Sequence, residues 1–164
     1  MILYPRLYCK KVTDIKLEYL KENNIKGIIL DVDNTLIDFD RNLLKGVTEW
    51  QKNMRDNQIK CIILSNSNQL DKIKKIADTL EIPFIRLATK PLKRGFKKAQ
   101  KELNLPAENI AVVGDQIFTD VLGANRCKML SILVEPIAEK DYLITKIKRP
   151  LENLVIRKYL EKKG

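Results

Sequence analysis

The sequence contains no histidine among its 164 residues. This absence excludes Ser-His-Asp catalysis, phosphohistidine chemistry and zinc sites with histidine ligands. The three cysteines, Cys9, Cys61 and Cys127, are scattered and lack Cys-x-x-Cys spacing, which indicates reduced thiols in a cytosolic protein. None of them is followed six residues later by arginine, so the loop of cysteine-based phosphatases is also absent. A carboxylate remains available as a nucleophile.

Other absent patterns narrow the class of protein further. Neither the Gly-x-x-x-x-Gly-Lys-Ser/Thr phosphate loop nor the Gly-x-Gly-x-x-Gly fingerprint occurs, which argues against nucleotide-triphosphate motors and dinucleotide enzymes. No segment approaches the ~20 continuous apolar residues of a membrane span, and residues 1–6 do not read as a secretory signal. We therefore expect a cytoplasmic protein.

The length and the hydrophobic fraction of 45% fit one domain with an adequate core. Apolar runs alternate with helical patterns, which the sequence places at Val12–Asn23, Leu43–Asn57, Asn68–Leu80, Leu92–Asn104 and Ile117–Cys127. Asn68, with Asp71 three residues later, marks one helix start. The alternation predicts an α/β fold with one doubly wound parallel sheet. Because no repeat or Gly/Ser-rich linker indicates a second unit, we expect residues 1–164 to form a single domain.

The most informative stretch is an apolar run, Ile28-Ile29-Leu30, that leads directly into Asp31-Val32-Asp33-Asn34-Thr35-Leu36. Ligands of parallel α/β sheets bind where the strands end. Alternate residues of an extended chain point the same way, so Asp31 and Asp33 can face one site. One carboxylate could then attack phosphorus while the other moves a proton. A strand followed by an Asp/Asn-rich turn is the plainer interpretation of the same spacing.

Later strand ends carry polar groups as well. A second buried strand pattern ends in Ser65 and Asn66, whose hydroxyl and amide could donate to phosphate oxygens. A third pattern leads to Lys90, which could neutralise phosphate charge. A fourth ends in a glycine turn with Asp115 and then Asp120. These acids predict a site for a hard cation, because Mg²⁺ prefers oxygen ligands and usually takes one or two carboxylates together with phosphate and water.

Taken together, these residues resemble the motifs of the haloacid dehalogenase-like (HAD) hydrolase superfamily, in the same order. The motifs are matched by Asp31-Val32-Asp33-Asn34-Thr35-Leu36, by Ser65-Asn66, by Lys90, and by Gly114-Asp115 with Asp120. In this superfamily the second acid of the first motif distinguishes phosphatases, and Asp33 supplies it. The chain is similar over nearly its whole length to the YqeG group of subclass IIIA, which is itself similar to the mitochondrial phosphatidylglycerophosphate phosphatases.

The resemblance implies a magnesium-dependent phosphomonoester hydrolase with phosphatidylglycerophosphate as the preferred substrate. Asp31 is the implied nucleophile, which forms an aspartyl-phosphate, and Asp33 is the implied acid and base. Ser65 and the backbone N–H of Asn66 would hold phosphate oxygens. Lys90 would add fixed positive charge in a partly dry site.

The resemblance also implies a ligand set for the magnesium ion. Its members are the Asp31 side chain, the Asp33 backbone carbonyl and the Asp115 side chain. Asp120 would orient Lys90 or a water molecule on the metal. The ion would separate the nucleophilic carboxylate from the phosphate oxygens.

The spacing of the motifs leaves no room for a cap domain. About thirty residues separate the first motif from Ser65, and about twenty-five separate Ser65 from Lys90, and one helix with a strand takes up each interval. We therefore expect an open site unless an oligomeric partner covers it. Superfamily members without caps often act on bulky substrates. A lipid headgroup, a protein or a nucleic-acid end is thus favoured over a small metabolite sealed from water.

The net charge of +10 permits two interpretations, a solvated basic surface or an attraction for an anionic partner. One basic cluster lies in and just after the third motif and comprises Lys90, Lys93, Arg94, Lys97, Lys98 and Lys101. The basic amphipathic segment 140–164 has apolar residues at helical spacing, namely Leu151, Leu154, Val155 and Tyr159. This segment either lies on anionic lipid, at the inner face of a membrane, or packs on the domain as an ordinary last helix. Near the other end, Tyr4, Pro5, Leu7 and Tyr8 either cover the core or contact lipid.

Rival functions remain open at this point. One is a phosphatase for a soluble phosphate ester or a polynucleotide end, and another is a non-enzymatic basic module that binds RNA or ribosomes. The sequence retains Asp31, Asp33, Lys90 and Asp115 together, which argues against the non-enzymatic module. Nucleic acid is the less favoured partner. A binding module would show steep salt dependence and would tolerate Asp31→Asn, whereas a phosphatase would not.

Overall fold

The protein is described by a computed structural model that covers residues 1–137 and 143–164, with side chains up to residue 137 and from residue 149 onward. Residues 140–142 of the basic amphipathic segment, and the side chains of 143–148, therefore lie outside the described residues.

Strands and helices alternate along the chain. The strands are β1 (Leu7–Cys9), β2 (Gly27–Leu30), β3 (Lys60–Leu64), β4 (Phe84–Ile85), β5 (Ile110–Gly114) and β6 (Leu130–Val134). The helices are α1 (Leu17–Glu22), α2 (Val47–Asp56), α3 (Leu70–Leu80), α4 (Lys93–Leu103), α5 (Leu122–Arg126) and α6 (Leu143–Lys163). Short helical turns occur at Val12–Asp14 and Ala107–Asn109, and a wider π-type turn covers Ile117–Val121.

Within the described residues the strands form one six-stranded sheet in the order β1-β6-β5-β2-β3-β4, and every pairing is parallel. Strand β2 lies between β3 and β5 and is buried throughout, which explains its uninterrupted apolar sequence. Alternate residues of β2 serve opposite faces. Ile28 and Leu30 join a core with residues of α2 and α3, whereas Ile29 joins a core with Phe96 of α4. The prediction of a doubly wound parallel α/β fold is confirmed.

Several predicted helix starts are wrong. The pattern at Val12–Asn23 is divided into a short turn and α1, and helix α2 begins at Val47 rather than Leu43. Gly46 precedes α2 with a φ of 88°, a left-handed conformation that glycine adopts without steric cost. Helix α3 begins after Gln69 without a side-chain cap, so Asn68 does not cap it.

The two ends of the described chain pack onto the domain. Strand β1 pairs with β6, and Tyr8 packs in a small core with Val155 and Ile156 of α6. The ring of Tyr4 meets the buried ring of Tyr159 edge to face, with 5.6 Å between centroids. Residues near the first end therefore cover the core, and the described part of α6 packs as an ordinary last helix.

The helical spacing in the sequence had suggested that the apolar residues of α6 share one face. In the structure they lie on two sides of the helix. Val155 and Tyr159 face the domain, whereas Leu151 and Leu154 are exposed. The helix therefore carries a second apolar strip on its outer side.

The segments that join β2 to β3 and β3 to β4 are fully described and short. The first consists of a loop, tied by bridges from Ile37 to Asp33 and Leu43, and helix α2. The second consists of a loop and helix α3. Neither segment contains a cap domain, as expected. None of the helices in the described residues has the length and apolar character required to cross a bilayer.

Candidate active site

A cleft of about 750 Å³ opens where the central strands end. Its walls include Asp31 and Asp33 after β2, Ser65 and Asn66 after β3, and Lys90 after β4. These residues come together because the carboxyl ends of parallel strands lie at one edge of the sheet. The predicted residues of the first three motifs therefore share one cleft.

Lys90 is the buried cation at the floor of this cleft. Its Nζ donates to Asp31 Oδ1 at 3.0 Å and to Asp120 Oδ1 at 2.6 Å, and only 4% of its side chain is exposed. The Asn66 side chain fixes the backbone of Lys90, because it accepts from Lys90 N at 2.7 Å and donates to Lys90 O at 3.1 Å. The sequence predicted that the Asn66 amide and its backbone N–H donate to phosphate oxygens, and it did not predict this contact of the side chain with Lys90.

Lys90 keeps its charge despite its burial. Burial by itself would lower the pKa of Lys90, but the adjacent Asp120 and Asp31 carboxylates outweigh that effect and raise the pKa above its usual value. A permanent positive charge therefore lies against one oxygen of Asp31. Because Lys90 is buried, it does not belong to the surface cluster proposed from the sequence, whose other members are exposed residues of α4.

Three buried acids meet beside Lys90. Oxygens of Asp31, Asp115 and Asp120 lie within 4.8 Å of one another, and the Thr35 hydroxyl lies 3.4 Å from Asp31 Oδ2 and 3.3 Å from Asp115 Oδ1. Burial, together with the charges of Asp31 and Asp120, raises the pKa of Asp115 well above its ordinary value, against the opposing effect of Arg149. Crowded buried carboxylates of this kind fit a divalent cation with a preference for oxygen, such as Mg²⁺. The role of Thr35 was not predicted, although it lies within the first motif.

Asp120 makes the stability of the metal-free protein depend on pH. Burial raises its pKa from 3.8 to about 7, against the opposing effect of Lys90. Between these values the folded chain retains a proton that the unfolded chain releases, so the free energy of unfolding falls as the pH rises. We expect the free energy of unfolding, measured by urea titration in chelator, to fall less over this interval for Asp120→Asn than for the wild type. Parallel pH profiles for the two proteins would contradict the assignment.

Gly114, the last residue of β5, allows the Asp120 side chain to approach the strand. A Cβ at position 114 would overlap the Asp120 carboxylate. We expect Gly114→Ala to cost about 1–3 kcal/mol of stability and to lower the phosphatase activity that the sequence predicts, because Asp120 must move away from Lys90. The matched control is Gly27→Ala in β2, whose Cβ would meet the flexible end of Leu105, 2.7 Å away. Equal stability and activity of the two variants would refute this account.

Asp33 lies at the edge of the cleft, apart from the buried acids. Strand β2 ends at Leu30, and the carbonyl of Val32 then accepts from Thr35 N and Leu36 N in a tight turn. The Asp33 side chain is 51% exposed and accepts from Lys72 Nζ at 2.8 and 3.0 Å. Lys72 was missed by sequence reasoning. Its one signal is a position one turn before the buried Ile76 of α3, where a lysine is unusual.

Asp115 lines a second cavity, which it shares with Arg149 of the last helix. Arg149 of α6 donates through Nη2 to Asp115 Oδ2 at 2.6 Å and through Nη1 to Asp115 O at 2.9 Å. Arg149 was not predicted, because nothing in its sequence neighbourhood distinguishes it from the other basic residues of the segment.

Ser65, at the end of β3, is buried, and its hydroxyl accepts from Ser67 N at 3.1 Å.

Comparison with known proteins agrees with this geometry. The family model described as mitochondrial PGP phosphatase matches residues 1–138. The probable phosphatase YqeG of Bacillus subtilis (strain 168) is 41% identical over 161 residues, which cover 98% of this chain and 92% of that protein. Phosphatidylglycerophosphate phosphatase 1, chloroplastic/mitochondrial, of Arabidopsis thaliana is 26% identical over 96% of this chain and 48% of its own length. This chain thus spans about half of the plant relative.

Solved structures share the fold. The cobalt-bound deoxy-D-mannose-octulosonate 8-phosphate phosphatase (YrbI) of Haemophilus influenzae superposes with a TM-score of 0.58 at 17% identity, over 85% of this chain and 91% of that one. Because the family model covers most of the chain and YqeG matches nearly all of it, the chain belongs to the PGP phosphatase family and is a phosphatase of the YqeG type.

Proposed function

We propose that this phosphatase is a magnesium-dependent phosphomonoesterase that works through an aspartyl-phosphate on Asp31 and dephosphorylates phosphatidylglycerophosphate. The observation that carries the proposal is the setting of Asp31. Its carboxylate lines the open cleft, while the buried Lys90 holds its Oδ1 at 3.0 Å. A nucleophile that is held in one orientation needs little reorganisation before it attacks.

The chemistry divides into two displacements at phosphorus. In the first, an Asp31 oxygen forms a bond to phosphorus, the bond from phosphorus to the leaving oxygen breaks, and Asp33 protonates that oxygen. In the second, Asp33 takes a proton from water as the water oxygen attacks phosphorus, and the bond to Asp31 breaks. Inorganic phosphate leaves, and Asp33 has regained its proton. Asp33 can exchange protons with solvent because half of its side chain is exposed.

The remaining groups hold charge. Asp31 and Asp115, together with the Asp33 carbonyl that the family resemblance implies, would hold Mg²⁺, which when bound offsets repulsion between the carboxylate and the phosphate oxygens. Ser65 and the Asn66 N–H bind phosphate oxygens at the end of β3. Lys90, which lines the cleft, contributes a fixed positive charge beside Asp31. Asp120 orients Lys90 through the contact of 2.6 Å.

We also propose that residues 1–164 act as one phosphatase domain. The packing of Val155 and Ile156 of α6 against Ile117 and Leu133 supports this, because the last helix shares a core with the strand and turn beside the site. The described part of the basic segment 140–164 is then a structural part of the domain, and its outer side can in addition meet an anionic surface.

A lipid headgroup fits the form of the cleft. No cap domain covers the cleft in the part of the chain that the structure describes, and Phe39 in its wall is 43% exposed. Exposed leucines also lie next to cleft residues, since Leu70 follows Gln69 and Leu92 lies two residues after Lys90. Exposed cations of α4 follow at once. Apolar side chains and cations around an open site suit an anionic lipid at a membrane surface, and the matched relatives named as phosphatidylglycerophosphate phosphatases support that substrate.

The test compares phosphate release from phosphatidylglycerophosphate in mixed micelles with release from soluble phosphomonoesters and from an oligonucleotide with a terminal phosphate. Each substrate is assayed with magnesium and with chelator, and Asp31→Asn is the inactive control. We expect a magnesium-dependent preference for the lipid. Preference for a soluble ester or the oligonucleotide would refute the substrate and retain the enzyme, whereas no turnover of any substrate would refute both.

A further inference from the structure

We propose that Arg149 of α6 is a positioning residue that orients Asp115 for cation binding, so that the last helix forms part of the active site. This inference rests on the proposed role of Asp115 as a metal ligand. Arg149 lies outside the matched motifs and beyond the residues of the family model, which end at 138.

Arg149 grips Asp115 at two points at once. One nitrogen of its guanidinium binds the side-chain Oδ2 at 2.6 Å, and the other binds the backbone carbonyl at 2.9 Å. The planar fork therefore fixes the backbone and the carboxylate of the same residue. Both side chains are largely shielded from water, with 14% of Arg149 and 1% of Asp115 exposed. A shielded contact of this length holds one rotamer far better than an exposed ion pair.

The two carboxylate oxygens of Asp115 have different partners. Oδ2 faces Arg149, whereas Oδ1 lies 3.3 Å from the Thr35 hydroxyl, on the side of Asp31. Asp31 is arranged in the same way, with Oδ1 on Lys90 and Oδ2 3.4 Å from the same hydroxyl. A basic residue thus holds the outer oxygen of each acid, and the inner oxygens approach a common hydroxyl between them. Arg149 does for Asp115 what Lys90 does for Asp31.

Glu152 holds Arg149 in place. Its Oε2 accepts from Arg149 Nη1 at 3.1 Å, and its Oε1 lies 3.5 Å from Phe118 N, in the turn that leads to Asp120. Glu152 is itself buried. The pair from α6 therefore contacts the loop of the fourth motif at two points, Asp115 and Phe118. Groups that orient a metal ligand from behind typically change metal affinity about 10- to 100-fold when they are removed.

The experiment measures cation binding in the full chain without substrate, so that it does not depend on the identity of the substrate. Mn²⁺ serves as the probe, because it shares the oxygen preference of Mg²⁺ and its free concentration is read by electron paramagnetic resonance. The variants are Arg149→Ala and Arg149→Lys. The matched control is Arg157→Ala, which removes the same charge from an exposed position of the same helix. Thermal unfolding without metal shows whether each variant is folded.

We expect Arg149→Ala to weaken Mn²⁺ binding at least tenfold and Arg149→Lys to weaken it less, because lysine can reach one of the two Asp115 oxygens but cannot fork. Arg157→Ala should bind as the wild type does. Unchanged or tighter binding by Arg149→Ala, or no Mn²⁺ binding by the wild type, would overturn the inference. If Arg149→Ala does not fold, Arg149→Lys becomes the deciding variant. Wild-type Mn²⁺ affinity in Arg149→Lys would then overturn the inference.

The result separates this inference from the proposed function. If the wild type binds Mn²⁺ more tightly than Arg149→Ala but hydrolyses no substrate, the inference about Arg149 stands and the proposed enzyme activity is refuted. If the wild type hydrolyses its substrate with magnesium but Arg149→Ala binds Mn²⁺ as the wild type does, the enzyme activity stands and the inference about Arg149 is refuted.

Discussion

Replacement of Asp31 by asparagine is expected to reduce turnover by at least about 10⁴-fold, because the variant lacks the atom that attacks phosphorus. Asparagine has the shape of aspartate, and its oxygen can still accept from Lys90, which now contacts Asp31 at 3.0 Å. The fold should therefore survive. Phosphate release and thermal unfolding, measured on the same preparation, check both expectations.

The matched control for that variant is Asp38→Asn. Asp38 also lines the cleft, but its carboxylate accepts from Asn42 within its own turn, at 2.9 and 3.3 Å. The same acid-to-amide change there should retain most of the activity. A comparable loss in both variants would mean that the charge of the cleft, rather than the Asp31 nucleophile, governs turnover.

Lys90→Met is expected to cost about 3–5 kcal/mol of stability as well as the activity, since it removes one partner from a buried charge network. Asp31 and Asp120 would lose their common cation in a site where Lys90 is 4% exposed. The free energy of unfolding from urea titration in chelator measures this loss. Lys93→Met, at an exposed position at the start of α4, is the matched control and should be nearly neutral.

The double variant Lys90→Met with Asp120→Asn separates stability from catalysis. Removal of the Asp120 charge should restore a large part of the lost stability, because fewer unpaired charges stay buried. Activity should not return, since the cation beside Asp31 is still absent. A cost below about 1 kcal/mol for Lys90→Met alone would show that the buried network does not support the fold.

The central sheet could be predicted because its strands are buried on both faces. Strands β2, β3 and β5 therefore read as continuous apolar runs. The edge strand β1 could not be predicted. It has three residues, none of them fully buried, and its pairing with β6 spans more than 120 positions of sequence. Helix starts were missed where glycine or an uncapped residue decides, as at Gly46 and Gln69.

The candidate site likewise contains residues that could be predicted from the sequence and residues that could not. Asp31, Ser65 and Lys90 could be placed together, because parallel strands end at one edge and each residue follows a strand. Lys72 and Arg149 could not, because their contacts depend on how α3 and α6 pack on the sheet. In the sequence each is one lysine or arginine among 31.

The measurement that tests the mechanism most directly is a rapid-quench experiment on Asp33→Asn with para-nitrophenyl phosphate and magnesium. Its leaving group needs no proton, so Asp31 should still attack, whereas release of the phosphoryl group should be slow without the base. We expect a burst of nitrophenolate and one phosphoryl group on the peptide that contains Asp31, located by mass spectrometry. Catalysis by the wild type, with no burst and no phosphoryl group on Asp31 in this variant, would contradict the aspartyl-phosphate mechanism.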